Sequence, residues 1–171
     1  MADEQRHAPP RPRRLVRAPM ARARVLAEAR RWLGTPWHHR AALPGVGCDC
    51  YGQLRGMWDA LIGAHLPPGA PQARLPLPPY RPGWADTRAG EQLLGVMHAR
   101  FVAQPPATRA PGTVLVFRMR ADAPARHCAV LIDEASMIHC TETLGMHAAA
   151  LSRAWTRRAV GAFAFPQLRR G

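Results

Sequence analysis

The chain has 171 residues, the length of one domain with or without a short tail, and 47% of them are hydrophobic. This composition and a mean hydropathy of -0.23 are ordinary for a globular domain and exclude collagen, coiled-coil and fully disordered chains. The longest apolar runs span only a few residues, far below the roughly 20 that a membrane span requires.

All 24 basic residues are arginine, and with 11 acidic residues the formal net charge is +13. Residues 1–31 hold nine arginines and three acids, which gives this segment a net charge of +6. A positive charge of this size favours polyanionic partners such as nucleic acid, anionic membrane or cell-wall polymers. A solubilising surface with a basic tail explains the same charge equally well, so composition alone selects no partner.

Residues 1–19 combine arginine and proline without apolar periodicity, and they are predicted to be a disordered extension. Residues 20–168 are predicted to form a single domain. Apolar residues recur at helical spacing in its first part and predict helices over residues 20–33, 50–62 and 88–102. Residues 66–84 contain seven prolines and predict an irregular surface segment.

After Pro111 and Gly112 the pattern changes to short runs rich in Val, Ile, Phe and Ala, which are typical of strands. Strands are expected over residues 113–119, 127–133, 137–140 and 160–165, with a weaker candidate over 144–151. Helices followed by strands predict an α+β fold with an antiparallel sheet.

Cys50 is the first candidate for chemistry, because it follows Asp49 at the start of a predicted helix. Asp49 is a favourable N-cap residue. At a helix N-terminus the unpaired N–H groups and the helix dipole stabilise a thiolate, and they can also bind a developing oxyanion. A small buried core cysteine is the alternative that position alone leaves open.

His127 and His139 supply the imidazole that a nucleophilic cysteine needs. A three-residue loop around Asp133 would pair Leu131 with Ala135 and therefore place the two histidines opposite each other. Their separation is an even number of residues, so both rings are expected on one face of the sheet, close enough for a hydrogen bond. Two unrelated histidines at strand ends remain the alternative.

Four cysteines and two histidines also allow a zinc hypothesis, with His127, Cys128, His139 and Cys140 as ligands. Strand alternation disfavours it, because it directs Cys128 and Cys140 to the opposite face of the sheet, toward the core. The Cys48-x-Cys50 spacing is also tighter than the usual zinc-binding spacing.

Several motifs together resemble the NlpC family of papain-like cysteine endopeptidases of the bacterial cell wall. They are Gly34-Thr35-Pro36-Trp37-His38-His39, Gly45-Val46-Gly47-Cys48-Asp49-Cys50-Tyr51-Gly52, Pro111-Gly112-Thr113-Val114-Leu115-Val116-Phe117, His127-Cys128-Ala129-Val130-Leu131 and Ile138-His139. The resemblance covers residues 20–166. The paired histidines and the Gly-Val-Gly-Cys-Asp-Cys run are similar to the branch encoded among tail genes of prophages and gene transfer agents.

The resemblance implies a papain-like fold and a triad of Cys50, His127 and His139. It also implies hydrolysis of the bond between γ-D-glutamyl and a diamino acid in peptidoglycan stem peptides, without a metal or organic cofactor. Trp37, His38, Asp49 and Tyr51 are the expected substrate-binding residues. Trp37 stands where the family usually has Tyr, and its indole can donate a hydrogen bond but cannot accept one or ionise.

The resemblance further implies a place in a phage-like tail, with phage-like tail proteins as partners. The N-terminus lacks the apolar region of a secretory signal peptide. We therefore expect synthesis in the cytoplasm, association with a virion or tail particle, and action on the periplasmic cell wall. Two alternatives are a non-catalytic tail protein with the same fold and a basic nucleic-acid-binding protein. The complete set of candidate catalytic residues disfavours the first, and a salt-dependent binding assay would separate the second from a wall enzyme.

Overall fold

The structure, a computed structural model, describes residues 13–78, 90–108 and 110–170. In these residues it has four helices, which are α1 (Arg22–Arg30), α2 (Cys50–Leu61), α3 (Gln92–Arg100) and α4 (Arg153–Arg158). The three helices predicted from the sequence are present with shorter bounds, whereas α4 was not predicted. None of the four is long and apolar enough to cross a membrane.

Ten strands lie in the described residues: β1 (Arg13–Pro19), β2 (Ala42–Leu43), β3 (Gly47–Cys48), β4 (Val102–Gln104), β5 (Val114–Phe117), β6 (His127–Leu131), β7 (Ser136–Thr141), β8 (Gly145–Ala150), β9 (Ala159–Ala164) and β10 (Pro166–Arg170). Six of them form one antiparallel sheet in the order β4-β9-β5-β6-β7-β8. The α+β fold with an antiparallel sheet is therefore confirmed. Residues 66–78 form no strand or α-helix, as predicted, and residues 79–84 lie outside the described part.

The hydrophobic residues divide between the two faces of the sheet, because successive side chains of a strand point to opposite sides. On the inner face, Val116, Cys128 and Ile138 belong to the same core cluster as α1 and α2. On the outer face, Phe117 and Leu131 form a second cluster, against which Trp155 of α4 packs. The sheet thus separates a large core from a smaller outer cluster, and β6 contributes to both.

Helix α2 forms because an apolar stripe recurs along it and a carboxylate caps its first turn. Leu54, Met57 and Trp58 are fully buried against the sheet. Trp32, just after α1, lies so close to Gly56 that a Cβ at position 56 would be 2.2 Å from the indole. This contact packs the segment after α1 tightly against α2, whose first residue is Cys50.

The expectation that residues 1–19 are disordered is wrong for Arg13–Pro19, which form β1. This strand pairs antiparallel with β10, with Leu15 opposite Leu168, and both leucines pack against the main core. The backbone N–H of Met20 also donates to the carbonyl of Phe165 at 2.7 Å. The partner strand lies at the other end of the chain, so no local pattern in the sequence announces this pairing. Residues 1–12 lie outside the described residues.

Candidate active site

The N-terminus of α2 places Cys50 at the edge of a cleft, and Asp49 anchors it there. Asp49 is buried in an extended conformation, and its Oδ1 accepts a hydrogen bond from the Gly52 N–H at 2.7 Å. Its Oδ2 accepts from the Arg40 N–H at 2.7 Å. Both carboxylate oxygens thus hold backbone N–H groups, one in the helix and one in the preceding loop. The predicted N-cap is confirmed.

Gly52 permits this loop to approach the helix closely. A Cβ at position 52 would lie 1.8 Å from the carbonyl oxygen of Ala41, which no side chain can accommodate. The glycine after Cys50 and Tyr51 in the sequence motif therefore has a packing function. It lets the chain before Cys50 fold over the first turn of α2.

The thiol of Cys50 is half-buried and lies against β6. Its Sγ is 3.8 Å from the carbonyl oxygen of Arg126, and the Sγ of Cys128 lies 3.3 Å from the carbonyl oxygen of Cys50. A hydrogen bond from Cys128 and then the attraction and hydrogen bond of His127 hold the pKa of Cys50 well below its usual value, against the opposing effect of burial. The pKa of Cys128 is raised, first by its hydrogen bond to Cys50 and then by burial. The two shifts have opposite directions, so ionisation of Cys50 is favoured over ionisation of Cys128.

Strand alternation correctly predicts that Cys128 faces the core, but that face is also where the first turn of α2 packs. Cys128 is fully buried beneath Cys50. The expectation that Cys128 lies away from the candidate site is therefore wrong. The sequence could not reveal this contact, because it depends on where a helix from residue 50 meets a strand at residue 127.

His127 and His139 form the predicted hydrogen bond, with Nε2 of His127 2.9 Å from Nδ1 of His139. The predicted register is wrong by two residues, because Leu131 pairs with Met137 and not with Ala135. The side chain of Asp133 accepts a hydrogen bond from the Ala135 N–H at 2.8 Å, which lengthens the turn. A two-residue shift preserves the face on which each ring lies, so the rings still meet along a diagonal.

Burial, and then the charges of His127 and His147, lower the pKa of His139 to about 3. His139 is therefore neutral at physiological pH, and its Nδ1 can accept the proton that Nε2 of His127 donates. Because this bond occupies Nε2, Nδ1 is the ring nitrogen of His127 that remains available to Cys50, whose pKa the ring lowers. Cys50, His127 and His139 thus stand in sequence, with a neutral imidazole behind the one that acts on the thiol.

A cleft of about 300 Å³ opens over Cys50 and His127. Its remaining walls are formed by Trp37, His39, Asp49, Tyr51, Pro78, Gly90, Gln92, Leu93, Ala125, Arg126, Cys140, Thr141, Glu142 and Thr143. Trp37, Asp49 and Tyr51 therefore lie where the sequence suggests, and the Tyr51 hydroxyl donates to the Pro76 carbonyl at 2.5 Å. The cleft is large enough for a peptide side chain and its flanking backbone.

His38 does not line the cleft, contrary to the sequence-based expectation, and His39 does so instead. The His38 side chain packs over Gly47, where a Cβ would lie only 2.5 Å from its ring. The His39 ring stacks near that of Trp37, with centroids 6.4 Å apart and an interplanar angle of 27°. Two adjacent histidines in a loop carry no periodicity, so the sequence does not indicate which one faces the cleft.

Trp155 is a residue of this region that the sequence does not indicate. It lies on the short helix α4, where its ring stacks on His127 and meets His139 edge-on. The only local signal is Ser152, which caps α4 by accepting a hydrogen bond from the Trp155 N–H at 3.4 Å. A six-residue helix is too short for apolar periodicity to place its faces.

The ligands of the zinc hypothesis do not converge. The two histidine rings meet on the outer side of the sheet, whereas Cys128 and Cys140 are buried on its inner side. Cys140 Sγ lies 3.3 Å from the carbonyl oxygen of Cys48. Among the residues that the structure describes, no group of three or more His, Cys, Asp or Glu side chains is arranged to hold a metal ion.

Comparison with known proteins identifies the fold. No protein-family model matches the chain, and no curated protein matches it by sequence. A Staphylococcus aureus protein of the NLP/P60 family superposes with a TM-score of 0.54 at 18% identity, over 88% of this chain and 44% of that one. A Bacillus cereus NlpC/P60 family protein superposes with a TM-score of 0.55 at 17% identity, over 88% of this chain and 42% of that one.

The NlpC/p60 domain of the peptidoglycan hydrolase SagA superposes with a TM-score of 0.52 at 16% identity, over 85% of this chain and all of that domain. This chain thus spans less than half of the first two proteins but the whole of an isolated NlpC/p60 domain. The papain-like fold of NlpC/P60 proteins, implied by the sequence motifs, is confirmed.

Proposed function

We propose that this protein is a cysteine peptidase that cleaves peptide bonds in the stem peptides of peptidoglycan. The observation that carries the proposal is the arrangement of Cys50, His127 and His139, in which Cys50 and His127 line an open cleft and the buried His139 is hydrogen-bonded to His127. A thiolate at a helix N-terminus, paired with an imidazole that a third polar group orients, is the arrangement of a nucleophilic catalyst. The fold and the sequence motifs direct the proposal to the cell wall.

In this mechanism the Cys50 thiolate attacks the carbonyl carbon of the scissile amide. The negative charge that develops on oxygen is stabilised at the N-terminus of α2, where the Cys50 N–H is a donor. The protonated Nδ1 of His127 then gives its proton to the leaving nitrogen, and the C–N bond breaks to leave a thioester. His127, now neutral, removes a proton from water, whose oxygen attacks the thioester and releases the carboxylic acid and the thiolate.

His139 acts through His127 in this scheme. Its neutral Nδ1 accepts from Nε2–H of His127, which keeps the other nitrogen, Nδ1, directed at Cys50. A neutral partner holds the ring without competing for the catalytic proton, because its low pKa disfavours proton transfer to it at physiological pH. His139 is a positioning residue, and His127 is the acid and base.

The resemblance to the NlpC family supports the bond between γ-D-glutamyl and a diamino acid as the one cleaved. The similarity of the Gly-Val-Gly-Cys-Asp-Cys run to tail-encoded members supports a phage-like tail or gene transfer agent as the setting, with action on the periplasmic wall. Immunodetection of the protein in purified tail particles tests this setting. Its absence from particles would remove the tail role and leave the peptidase proposal standing.

The activity is tested by digesting purified peptidoglycan and analysing the released fragments by mass spectrometry. We expect fragments that end in γ-D-glutamate, together with peptides that begin with the diamino acid. The Cys50→Ala variant should release neither. Intact stem peptides after digestion with folded wild-type protein would contradict the proposal, and cleavage at another bond would retain the peptidase and correct its specificity.

A further inference from the structure

Trp155 is an aromatic side chain that contacts both imidazoles of the candidate relay. Its ring lies 5.4 Å from that of His127 at an interplanar angle of 30°, and 5.2 Å from that of His139 at 80°. The Trp155 ring also contacts that of Phe117, with ring centroids 5.0 Å apart and an interplanar angle of 66°. Trp155 is itself half-buried and packs on the outer cluster of the sheet, and the two histidines that it contacts are almost fully buried.

These two contacts have different electrostatic consequences. A cation within about 6 Å of an indole ring centre and over its face is attracted by the ring quadrupole. The near-parallel ring of His127 lies in that position, so Trp155 stabilises the imidazolium form relative to neutral imidazole. The ring of His139 meets Trp155 at a steep angle and stays neutral, so no comparable charge effect acts on it.

We infer that Trp155 is a positioning residue that stabilises the thiolate–imidazolium pair of Cys50 and His127 by stacking on the His127 ring. A protein in which the pair exists mainly as thiol and neutral imidazole has little nucleophile available near neutral pH. The stacking favours the charged pair through the His127 ring. It also limits rotation of the His127 ring and thereby preserves the hydrogen bond to His139.

Among the residues that the structure describes, the titratable and charged groups around His127 stay in place when position 155 is substituted. They include Cys50 on α2, His139 and Glu142 on or beside β7, His147 on β8, Asp49 before α2, Arg126 next to His127, and the arginines of α4, which are Arg153, Arg157 and Arg158. A change in the ionisation of the pair after substitution of Trp155 therefore reports the loss of the indole. This inference rests on the proposed function only in taking Cys50 and His127 as the reactive pair.

The experiment measures the rate of alkylation of Cys50 by iodoacetamide as a function of pH, in wild type, Trp155→Phe and Trp155→Leu. Loss of the indole should slow alkylation at pH 6 by about three- to tenfold, the range of an exposed to partly buried cation–π contact. At pH 10 the Cys50 thiol is ionised in all three proteins, so their alkylation rates should agree. Trp155→Phe keeps an aromatic face, so its alkylation rate at pH 6 should lie between those of wild type and Trp155→Leu.

Leu151→Ala is the matched control, because Leu151 packs in the same outer cluster but carries no ring. It should lower the melting temperature and leave the ratio of rates at pH 6 and pH 10 unchanged. An equal fall in that ratio in Leu151→Ala would show that loosened packing explains the effect and would overturn the inference. An unchanged ratio in folded Trp155→Leu, or in Trp155→Phe if the leucine variant does not fold, would overturn it as well.

The inference and the proposed function fail in distinguishable ways. Alkylation requires no substrate, so a Trp155-dependent ratio in a protein that leaves peptidoglycan intact would support the inference and refute the wall activity. In a His127→Ala background, Trp155→Leu should no longer change the ratio. A persistent change in that background would show that the indole acts on Cys50 without His127.

Discussion

Nε2 of His127 lies 2.9 Å from Nδ1 of His139, although these two residues are not opposite each other in the sheet. The register places them on a diagonal, and both side chains are almost fully buried. The hydrogen bond therefore forms because the two side chains reach diagonally across adjacent strands. It occupies Nε2 of His127 and leaves Nδ1 available to Cys50. The expected consequences concern turnover, pH dependence and stability.

Substitution of His139 should separate orientation from proton transfer. His139→Gln can still accept a hydrogen bond from Nε2–H of His127 through its amide oxygen, whereas His139→Ala cannot. We expect the glutamine variant to retain part of the activity and the alanine variant to lose more. His127→Ala should lose more still, about 10²- to 10⁴-fold in turnover, because it removes the proposed acid and base. Equal activity of wild type and His139→Ala would remove His139 from the relay.

The stability of the protein should fall in acid because of His139. Its pKa is about 3 in the folded chain and near 6.5 in an unfolded one, so between these values the unfolded state binds more protons. The free energy of unfolding should therefore rise with pH between about 3 and 6.5, with a contribution of up to about 1.4 kcal/mol per pH unit. Urea denaturation at several pH values measures this slope.

His139→Gln is the control for that slope, because glutamine does not titrate. Its free energy of unfolding should depend less steeply on pH over the same window. If the two proteins show parallel curves between pH 3 and 6.5, the ionisation of His139 does not contribute to the acid sensitivity.

Cys128→Ala should impair Cys50 without touching the cleft. The substitution removes the thiol that donates to Cys50, so the pKa of Cys50 should rise and alkylation near pH 6 should slow. Cys128→Ser restores a donor and should recover part of the rate. Cys140→Ala is the matched control, since Cys140 is buried on the same face and contacts Cys48 instead. A slower rate in Cys140→Ala than in Cys128→Ala would contradict this interpretation.

Removal of residues 1–19 should destabilise the domain. The truncation deletes β1, leaves β10 unpaired and exposes the core around Leu168. Leu15 is partly buried, so its burial contributes about 1 kcal/mol, and with the exposure of Leu168 we expect a total loss of about 2 kcal/mol in chemical denaturation. Deletion of residues 1–12 keeps β1 and should preserve the stability. An unchanged melting temperature after deletion of residues 1–19 would show that the pairing of β1 contributes little.

The parts of the fold that the sequence predicts are those with local causes. Asp49 before a run of apolar residues at helical spacing predicts both α2 and its cap, and alternation predicts that His127 and His139 share a face. The β6–β7 register was missed because Asp133 accepts from the Ala135 N–H and lengthens the turn. The contacts made by β1, Cys128 and Trp155 join residues distant in sequence, which no local pattern can reveal.

The assignment of Cys50 as the nucleophile is the central claim, and mapping of iodoacetamide labels over the four cysteines near pH 6 tests it most directly. The lowered pKa of Cys50 and the raised pKa of Cys128 predict that Cys50 is labelled first. His127→Ala should slow that labelling without transferring it to another cysteine. Preferential labelling of Cys48, Cys128 or Cys140 in the folded wild-type protein would contradict the assignment.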